Sequence, residues 1–376
     1  MSRSTTHPLQ PRTDHSGMSR RLAVLACKQA VRNVLEQRLR QDYKNQVLPQ
    51  LATPPESASD IATEVEALDS YRTWACASRA SQDRMWSVLA EQIDADSERL
   101  DAVTAELSQV ASGSVNLAGD QTMPDYISRT CIHGQPGGYM LERNADDLAA
   151  GLLYEAGGNL YALGQGIGKR DSKGERLIGH IRENWPDFQP RRILEMGCSA
   201  GGQSTDYPPA FPEAEFHALD LSPAMLRYAH LRAEALGSPV HFHQVDAADT
   251  GFEAGSFDLI ISHNLFHEVE AAHMQDIANE CYRLLAPAGI CIHQDVPIQA
   301  GRFDAFGQFL SEWQTRHNNE PFWMDFVHAD LPGMMKKAGF AENQVSEQYL
   351  DAKDGPIPWY VVTATKVSQG SGRCTT

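Results

Sequence analysis

The chain has no apolar run of the roughly 18 residues that a membrane-spanning helix requires, so the sequence predicts no membrane partner. Its seven cysteines form no C-x-x-C pair and follow no regular spacing, which argues against a disulfide scaffold and favours a cytoplasmic location. Basic residues are outnumbered, because 32 Lys and Arg stand against 49 Asp and Glu and leave a net charge of −17. Such a molecule repels a phosphate backbone, so we expect no nucleic-acid partner.

The N-terminal third shows helical periodicity. Residues 1–17 are polar and contain prolines, which predicts a disordered tail. Residues 18–135 are predicted to form an all-α domain that serves oligomerisation or acts as a lid. Its clearest stripe steps by four and three residues, which is typical of a helix-bundle core or a subunit interface, and from it we expect a homodimer. The stripe consists of Leu89, Ile93, Asp96, Leu100, Val103, Leu107 and Val110.

Residues 193–202 combine an apolar strand with a turn of small residues. The strand leads into Glu195, and Gly197, Ser199 and Gly201 follow. This spacing departs from the G-x-G-x-x-G of dinucleotide folds, and a carboxylate beside a diphosphate would be repelled. The turn is therefore predicted to face a ligand with a cationic end, at the start of a helix.

Two further apolar runs end on carboxylates. The first ends on Asp220, and a carboxylate at the tip of the second strand of an open α/β sheet is placed to accept both hydroxyls of a ribose. Ser222 and Pro223 then predict a helix start, because Ser is a favoured N-cap and Pro a favoured first helical residue. The next run ends at Asp246 and Ala247. These positions predict a nucleoside-containing ligand.

The order of these segments resembles the class I S-adenosylmethionine (SAM)-dependent methyltransferases. The resemblance covers roughly residues 150–366 and implies a Rossmann-like, seven-stranded, mostly parallel sheet with a C-terminal antiparallel hairpin. Ala288 stands where the family's R-x-L-x-P-G-G turn has its first glycine. The matching segments are 195–202 for motif I, 220–226 for D-x-S-x-x-M-L, 256–258 for S-F-D and 283–289 for R-x-L-x-P-G-G.

The resemblance also implies a domain map and a set of cofactor contacts. Residues 136–190 are expected to be a Gly-rich linker with helices over the cofactor site, residues 191–366 the SAM-binding domain, and residues 367–376 a flexible tail. In the family, an acid at the position of Asp246 holds the adenine amino group. The implied cofactor residues are Glu195, Gly197, Ser199, Gly201, Gln203, Asp220, Leu221, Asp246, Ala247, Ser262 and Tyr161.

Chemistry is expected where the fourth and fifth strands of the family's sheet end, because open α/β sheets bind ligands there. His263, His267 and Asp295 follow these strands and are the catalytic candidates. A histidine base is needed only if the acceptor atom carries a proton. His267 matches the catalytic histidine of some small-molecule O-methyltransferases, although a packing role remains an alternative. Candidate acceptor contacts are Tyr161, Gln165, His293 and Trp323.

The histidines do not predict a metal site. His263 and His267 are four residues apart, and His241 and His243 share one face of a strand, but neither pair has a third ligand nearby in the sequence. The sequence therefore predicts a SAM-dependent methyltransferase acting on a small-molecule acceptor, with O-, C- or S-transfer left open. The alternatives are an RNA or protein methyltransferase and a non-catalytic SAM-binding scaffold.

Overall fold

A computed structural model of the chain describes residues 6–110, 112–119, 124, 127, 130–161, 173–351 and 358–367. The chain divides into two compact units. The helical unit comprises Met1–Val110, Met123–Arg170 and Ile298–His328, and the sheet unit comprises Ala111–Thr122, Asp171–Pro297 and Ala329–Thr376. In this division Ala111–Thr122 belongs to the sheet unit and Ile298–His328 to the helical unit, and the expected segment 136–190 is divided between the two.

The helical unit begins with a helix over His15–Ala30. The Asp14 carboxylate accepts a hydrogen bond of 2.7 Å from the Gly17 backbone N–H, which satisfies one of the free amides at the helix start. The helix continues through π-helical turns at Val31–Leu35 and Tyr43–Val47, on either side of Glu36–Asp42. The remaining helices of this unit are Ala62–Glu66, Asp69–Ala95, Ser97–Leu107, Ala149–Tyr161, Ala305–His317 and Trp323–Val327, with 3₁₀ turns at Leu48–Gln50, Ala58–Asp60 and Ile132–Gly134.

The tail over residues 1–17, for which the sequence predicts disorder, is described from residue 6 onward and makes contacts within the helical unit. Leu9 is fully buried, and His7 Nε2 lies 2.9 Å from a carboxylate oxygen of Glu155. The Arg99 guanidinium donates to the carbonyls of Pro8 at 2.6 Å and Gln10 at 3.0 Å. The polar composition of the segment does not indicate these hydrogen bonds, because their partners, Glu155 and Arg99, lie far away in the sequence.

Most residues of the heptad stripe pack inside the helical unit. The helix over Asp69–Ala95 ends before Asp96, and a new helix begins at Ser97, so the stripe does not run along one helix. Of its apolar members, four are buried within the chain, Val103 is half-buried and Val110 is 42% exposed; the four are Leu89, Ile93, Leu100 and Leu107. Most of the stripe therefore packs inside the helical unit, and the homodimer stays a prediction.

The sheet unit contains eight strands in the order β1-β4-β3-β2-β5-β6-β8-β7, rather than the expected seven. The pairs among β1 to β6 are parallel, and β8 runs antiparallel to both β6 and β7. The additional strand, β1, is only three residues long, which is too short for a periodic pattern. The strands are β1 Ser114–Asn116, β2 Arg192–Met196, β3 Glu215–Asp220, β4 His241–Gln244, β5 Phe257–His263, β6 Leu285–Asp295, β7 Val345–Leu350 and β8 Trp359–Thr365.

The central strands are buried on both faces. Ile193, Leu259, Ile261 and Ile290 are at most 1% exposed, as expected for parallel strands covered by helices on each side. The exposed Ala288 has a φ of 65°, a backbone region that favours glycine, at the position where the family carries one. The helices of this unit are Lys173–Asn184, Tyr207–Ala210, Pro223–Ala235, Ala271–Leu284 and Leu331–Ala338, with 3₁₀ turns at Ser204–Asp206, Phe266–Glu268 and Glu342–Gln344. Among the described residues, none of the helices in either unit has the length and apolarity to cross a bilayer.

Candidate functional site

The turn after β2 is built from left-handed backbone. Gly197, Ser199 and Gly201 have φ values of 70°, 44° and 67°. A Cβ atom on Gly197 would lie 2.7 Å from Leu265 Cδ1, and one on Gly201 would lie 2.9 Å from Ala229 Cβ, so both positions require glycine. Ser199 adopts this conformation without being glycine, which costs on the order of 1 kcal/mol. Such strain is typical of ligand-binding turns.

The Asp220 carboxylate is fixed beside this turn, at the tip of β3. One carboxylate oxygen accepts from the Ser199 backbone N–H at 2.8 Å, and the other accepts from the Ser222 N–H at 2.9 Å. Burial raises the pKa of Asp220, and these backbone donors oppose that rise. The carboxylate, which can accept about four hydrogen bonds, keeps capacity for a hydroxyl donor. The strained turn and the predicted ribose contact are thus one hydrogen-bonded arrangement.

Glu195 gives the same region a second negative charge. Its side chain is 1% exposed and accepts a hydrogen bond from the Ser204 hydroxyl. Burial raises the pKa of the Cys198 thiol, and the charges of Asp220 and Glu195 raise it further. Gln203, half-buried, immediately precedes the 3₁₀ turn that carries Ser204. The end of β2 is therefore acidic, which suits a cationic ligand group.

The predicted adenine end lies at the neighbouring strands. The Asp246 carboxylate accepts a hydrogen bond of 2.8 Å from the Ala248 backbone N–H, closing a local turn after β4. Ala247 is buried, and the Leu221 carbonyl accepts from the Gln244 side chain at 3.2 Å. Because β3 and β4 are paired in parallel, these residues lie at the same edge of the sheet as Asp220.

His267 lies between two carboxylates. Its Nδ1 is 2.5 Å from Asp295 Oδ1, and its Nε2 is 3.4 Å from Glu268 Oε1. Burial lowers the pKa of His267, but the charge and hydrogen bond of Asp295, with those of Glu268, outweigh it and raise the pKa to about 10. Asp295 also accepts from the Phe266 and Val296 backbone N–H groups. The pairing with Asp295 and Glu268 therefore favours the protonated ring, which disfavours a general-base role for His267.

His263 is also occupied by hydrogen bonds. Its Nδ1 lies 2.8 Å from Gln294 Oε1, and its Nε2 lies 2.9 Å from the Tyr207 hydroxyl. His263 thus bridges β6 and the short helix that begins at Tyr207. In this arrangement His263 has no nitrogen free to act as a base.

Ser262 and His293 lie inside the sheet unit rather than at its ligand edge. Both side chains are at most 1% exposed, and Ser262 Oγ is 2.8 Å from His293 Nδ1. The cofactor contact expected of Ser262 and the acceptor contact expected of His293 stay predictions. Adjacent strands bring these residues together, because Ser262 and His293 are register partners in β5 and β6.

Of the other acceptor candidates, the structure describes the side chain of Trp323 but not those of Tyr161 and Gln165. Trp323 belongs to the helical unit, where its indole N–H donates to Ser311 Oγ at 2.7 Å. Tyr161 is the last residue of the helix that begins at Ala149, but its side chain lies outside the described residues, as does Gln165.

Sequence reasoning missed a cavity of about 210 Å³ between the ends of β1 and β4. No local signal could have found it, because β1 was not predicted. Its position next to Asp246 places it at the same sheet edge as the other ligand-site residues. The cavity is lined by Asn116, Leu117, Ala118, His243, Gln244, Val245, Thr250 and Phe252.

Comparison with known proteins gives a match over the same region. Residues 193–289 match the family described as a methyltransferase domain. This stretch runs from within β2 to within β6 and contains the turn, Asp220 and Asp246.

Several curated proteins are similar to parts of the chain. A probable phthiotriol/phenolphthiotriol dimycocerosates methyltransferase 2 of Mycobacterium ulcerans is 32% identical over 31% of this chain and 44% of its own length. Demethylmenaquinone methyltransferase of Thermus thermophilus is 32% identical over 29% of this chain and 48% of its own. The tRNA N(3)-methylcytidine methyltransferase Mettl2 of Drosophila melanogaster is 26% identical over 42% and 51%. The chain thus spans about half or less of the length of these relatives. Residues 193–289 are therefore similar to a methyltransferase domain, and this similarity supports S-adenosyl-L-methionine as the cofactor.

Proposed function

We propose that the chain transfers the methyl group of SAM to a small-molecule acceptor. The observation that carries this proposal is the Asp220 carboxylate, held by the amides of Ser199 and Ser222 beside the acidic end of β2. In this proposal Asp220 accepts the two ribose hydroxyls, and Asp246 accepts from the adenine amino group. The buried Glu195 carboxylate attracts the cationic methionine end.

The small acceptor is supported by charge. A net charge of −17 disfavours a polyanionic acceptor such as a folded RNA. Two relatives are named for phthiotriol or phenolphthiotriol dimycocerosates and for demethylmenaquinone, and these names favour the same class. The name of a third, a tRNA methyltransferase, favours the RNA alternative. We place the small molecule first because of the charge.

Methyl transfer from a sulfonium is an in-line displacement. The acceptor atom bonds to the methyl carbon while the carbon–sulfur bond breaks, and the electron pair remains on sulfur. Most of the acceleration comes from holding the two reacting atoms together with water excluded. With His267 protonated and His263 engaged at both nitrogens, the acceptor atom either carries no proton or releases it to water. His267 is then a positioning residue that holds Asp295 and the segment after β5.

Label transfer from methyl-labelled SAM tests this proposal. The full chain is incubated with three separate acceptor pools, namely a low-molecular-weight cell extract, total RNA and total protein. We expect stable label only in the low-molecular-weight pool, and much less label at low SAM concentration when the Asp220→Ala variant replaces the wild type. Ribonuclease-sensitive label would overturn the proposal in favour of RNA methylation. SAM binding without label in any pool would overturn it in favour of a scaffold protein.

Three further expectations are proposals. We propose that the methyltransferase domain spans residues 191–366. We also propose a cytoplasmic location, because the cysteines form an irregular set. Finally, we propose that the protein acts without a nucleic-acid or membrane partner. A homodimer has less support than the sequence suggested, since four apolar members of the heptad stripe are buried within the chain. Light scattering of the purified full chain measures the oligomeric state directly.

A further inference from the structure

Four soft donor atoms meet in the core of the sheet unit. Cys281 lies on the helix over Ala271–Leu284, Cys291 and His293 lie on β6, and Met196 is the last residue of β2. All four residues are at most 1% exposed. His293 Nε2 is 3.2 Å from Cys291 Sγ and 3.7 Å from Cys281 Sγ. Cys281 Sγ is 3.5 Å from Met196 Sδ.

These separations resemble the edges of a tetrahedral metal site. With zinc–sulfur bonds of about 2.3 Å and zinc–nitrogen bonds of about 2.0–2.1 Å, a tetrahedron has sulfur–nitrogen edges of about 3.6 Å and sulfur–sulfur edges of about 3.8 Å. The three distances given above, 3.2, 3.7 and 3.5 Å, lie close to these values. The ligand atoms of Cys281, Cys291 and His293 also lie within 4.8 Å of one another.

A neighbouring hydroxyl orients the imidazole correctly for metal binding. Ser262 Oγ is 2.8 Å from His293 Nδ1, and when Nδ1 donates to it, the Nε2 lone pair points at the two sulfurs. Metal-ligating histidines commonly have such a partner on the other ring nitrogen, which sets the tautomer. The Phe266 ring contacts the imidazole edge-on, with ring centroids 4.7 Å apart, and closes that side of the site.

Ordinary core packing explains this cluster less well. A buried free cysteine usually behaves as a small apolar side chain, whereas here both thiols are directed at one imidazole nitrogen. We propose that Cys281, Cys291, His293 and Met196 form a structural site for one thiophilic divalent cation of the Zn²⁺ class. Two thiolates neutralise a divalent ion, which suits a buried position, and soft ligands select such metals. Four protein ligands leave no open position, as in structural zinc sites.

Binding converts two thiols into thiolates, so one M²⁺ enters and two protons leave. No electron transfer is involved. The bound ion would clamp β2, β6 and the helix over Ala271–Leu284 together immediately before Gly197, where the ligand-binding turn begins. The proposal does not depend on methyl transfer and has its own readouts.

The test uses the untagged full chain, loaded with Zn²⁺ and separately with Co²⁺. We expect one zinc per chain by elemental analysis, release of two protons per ion in weakly buffered solution, and thiolate-to-cobalt charge-transfer absorption. Cys281→Ser and Cys291→Ser should each abolish the charge-transfer pattern of the wild type and weaken binding at least ~100-fold. Cys131→Ser is the matched control, because Cys131 is exposed in the helical unit and should leave binding unchanged.

A second variant keeps the test decisive if a cysteine variant fails to fold. Ser262→Ala retains both thiols and should weaken metal affinity roughly 10- to 100-fold by releasing the His293 ring. Wild-type protein that takes up no zinc and shows no cobalt–thiolate absorption would overturn the proposal. So would Ser262→Ala and Cys281→Ser variants that bind as tightly as the wild type, or a disulfide between Cys281 and Cys291 in the mass spectrum of the purified protein.

Discussion

Asp220 and His267 illustrate how single residues at this site are tuned by their neighbours. The Asp220 carboxylate is anchored by the amides of Ser199 and Ser222 before any ligand arrives. Pre-orientation of this kind reduces the cost of ordering the site on binding. The pKa of His267 is raised by the charges and hydrogen bonds of Asp295 and Glu268, which outweigh the effect of burial. One residue is thus prepared to accept hydrogen bonds, and the other favours its protonated form.

Replacing Asp220 with alanine should weaken SAM binding by about 10- to 100-fold, because a charged acceptor of two hydroxyls is worth about 1–3 kcal/mol. Isothermal titration measures this loss. Asp276→Ala, an exposed position on the helix over Ala271–Leu284, serves as the control and should bind like the wild type. An Asp220→Ala variant with unchanged affinity would show that the ribose is bound elsewhere.

His267 should make stability depend on pH. Because its pKa is raised from 6.5 to about 10, the charged ring stabilises the fold fully below pH 6.5, and this stability is lost as the pH rises toward 10. Between these pH values, the free energy of unfolding of the wild type should fall roughly 1–3 kcal/mol further than that of His267→Gln. Urea titrations at several pH values measure the difference, with exposed His328→Gln as the control.

Parallel pH curves for wild type and His267→Gln would contradict this account of the ion pair. The pH dependence of kcat/KM gives an independent readout. If His267 only positions Asp295, the kcat/KM profiles of the wild type and His267→Gln should have the same shape near pH 6.5. A fall in kcat/KM near pH 6.5 that is seen in the wild type and missing in the variant would support the general-base hypothesis.

At the scale of elements, β1 is held by the end of a helix as well as by its strand partner. The Glu234 carboxylate accepts from the Gly113 N–H at 2.7 Å, the Ser112 N–H at 3.1 Å and the Ser112 hydroxyl at 2.6 Å. Burial acts to raise the pKa of Glu234, but these donors outweigh it and lower the pKa. A Cβ on Gly113 would lie 2.3 Å from the Val240 carbonyl oxygen, so β1 approaches β4 closely from its first residues.

Glu234→Gln should loosen β1. The charge-assisted hydrogen bonds are replaced by weaker neutral ones, at a cost of about 1–2 kcal/mol, and the amides of residues 113–118 should exchange with deuterium faster. Hydrogen exchange followed by mass spectrometry resolves this segment. Glu213→Gln, which changes an exposed carboxylate, is the matched control. Unchanged protection over residues 113–118 would mean that strand pairing alone holds β1.

At the scale of the whole molecule, the helical unit is assembled from three separate stretches of chain. The stretch over residues 298–328 follows β6 in sequence but packs with the N-terminal helices. The Phe306 ring stacks on Tyr43 with centroids 4.7 Å apart, and the Trp313 ring lies 4.7 Å from Trp74. Residues near the end of the sequence therefore complete a hydrophobic core whose other members lie near its start.

Phe306→Ala should destabilise the helical unit by about 3–5 kcal/mol, because Phe306 is fully buried and its removal leaves a cavity. The change should appear as faster proteolysis and faster amide exchange over residues 36–47, although these lie far away in sequence. Phe303→Ala is the matched control, since Phe303 is 37% exposed, and should cost under about 1 kcal/mol. Equal effects of the two variants would contradict the assigned core.

Local chemistry in the sequence was enough to predict β2, β3, β4, the glycine turn, the Ser222 cap and the position of Asp220. Strand periodicity, caps and left-handed turns depend on residues next to one another, so they can be read without a fold. The tertiary structure alone decided the protonation of His267, set by Asp295 across two strands, and the meeting of Cys281 with His293. It also decided the eighth strand and the placement of residues 298–328. These features depend on contacts between distant segments, which exist only once the topology has brought the segments together.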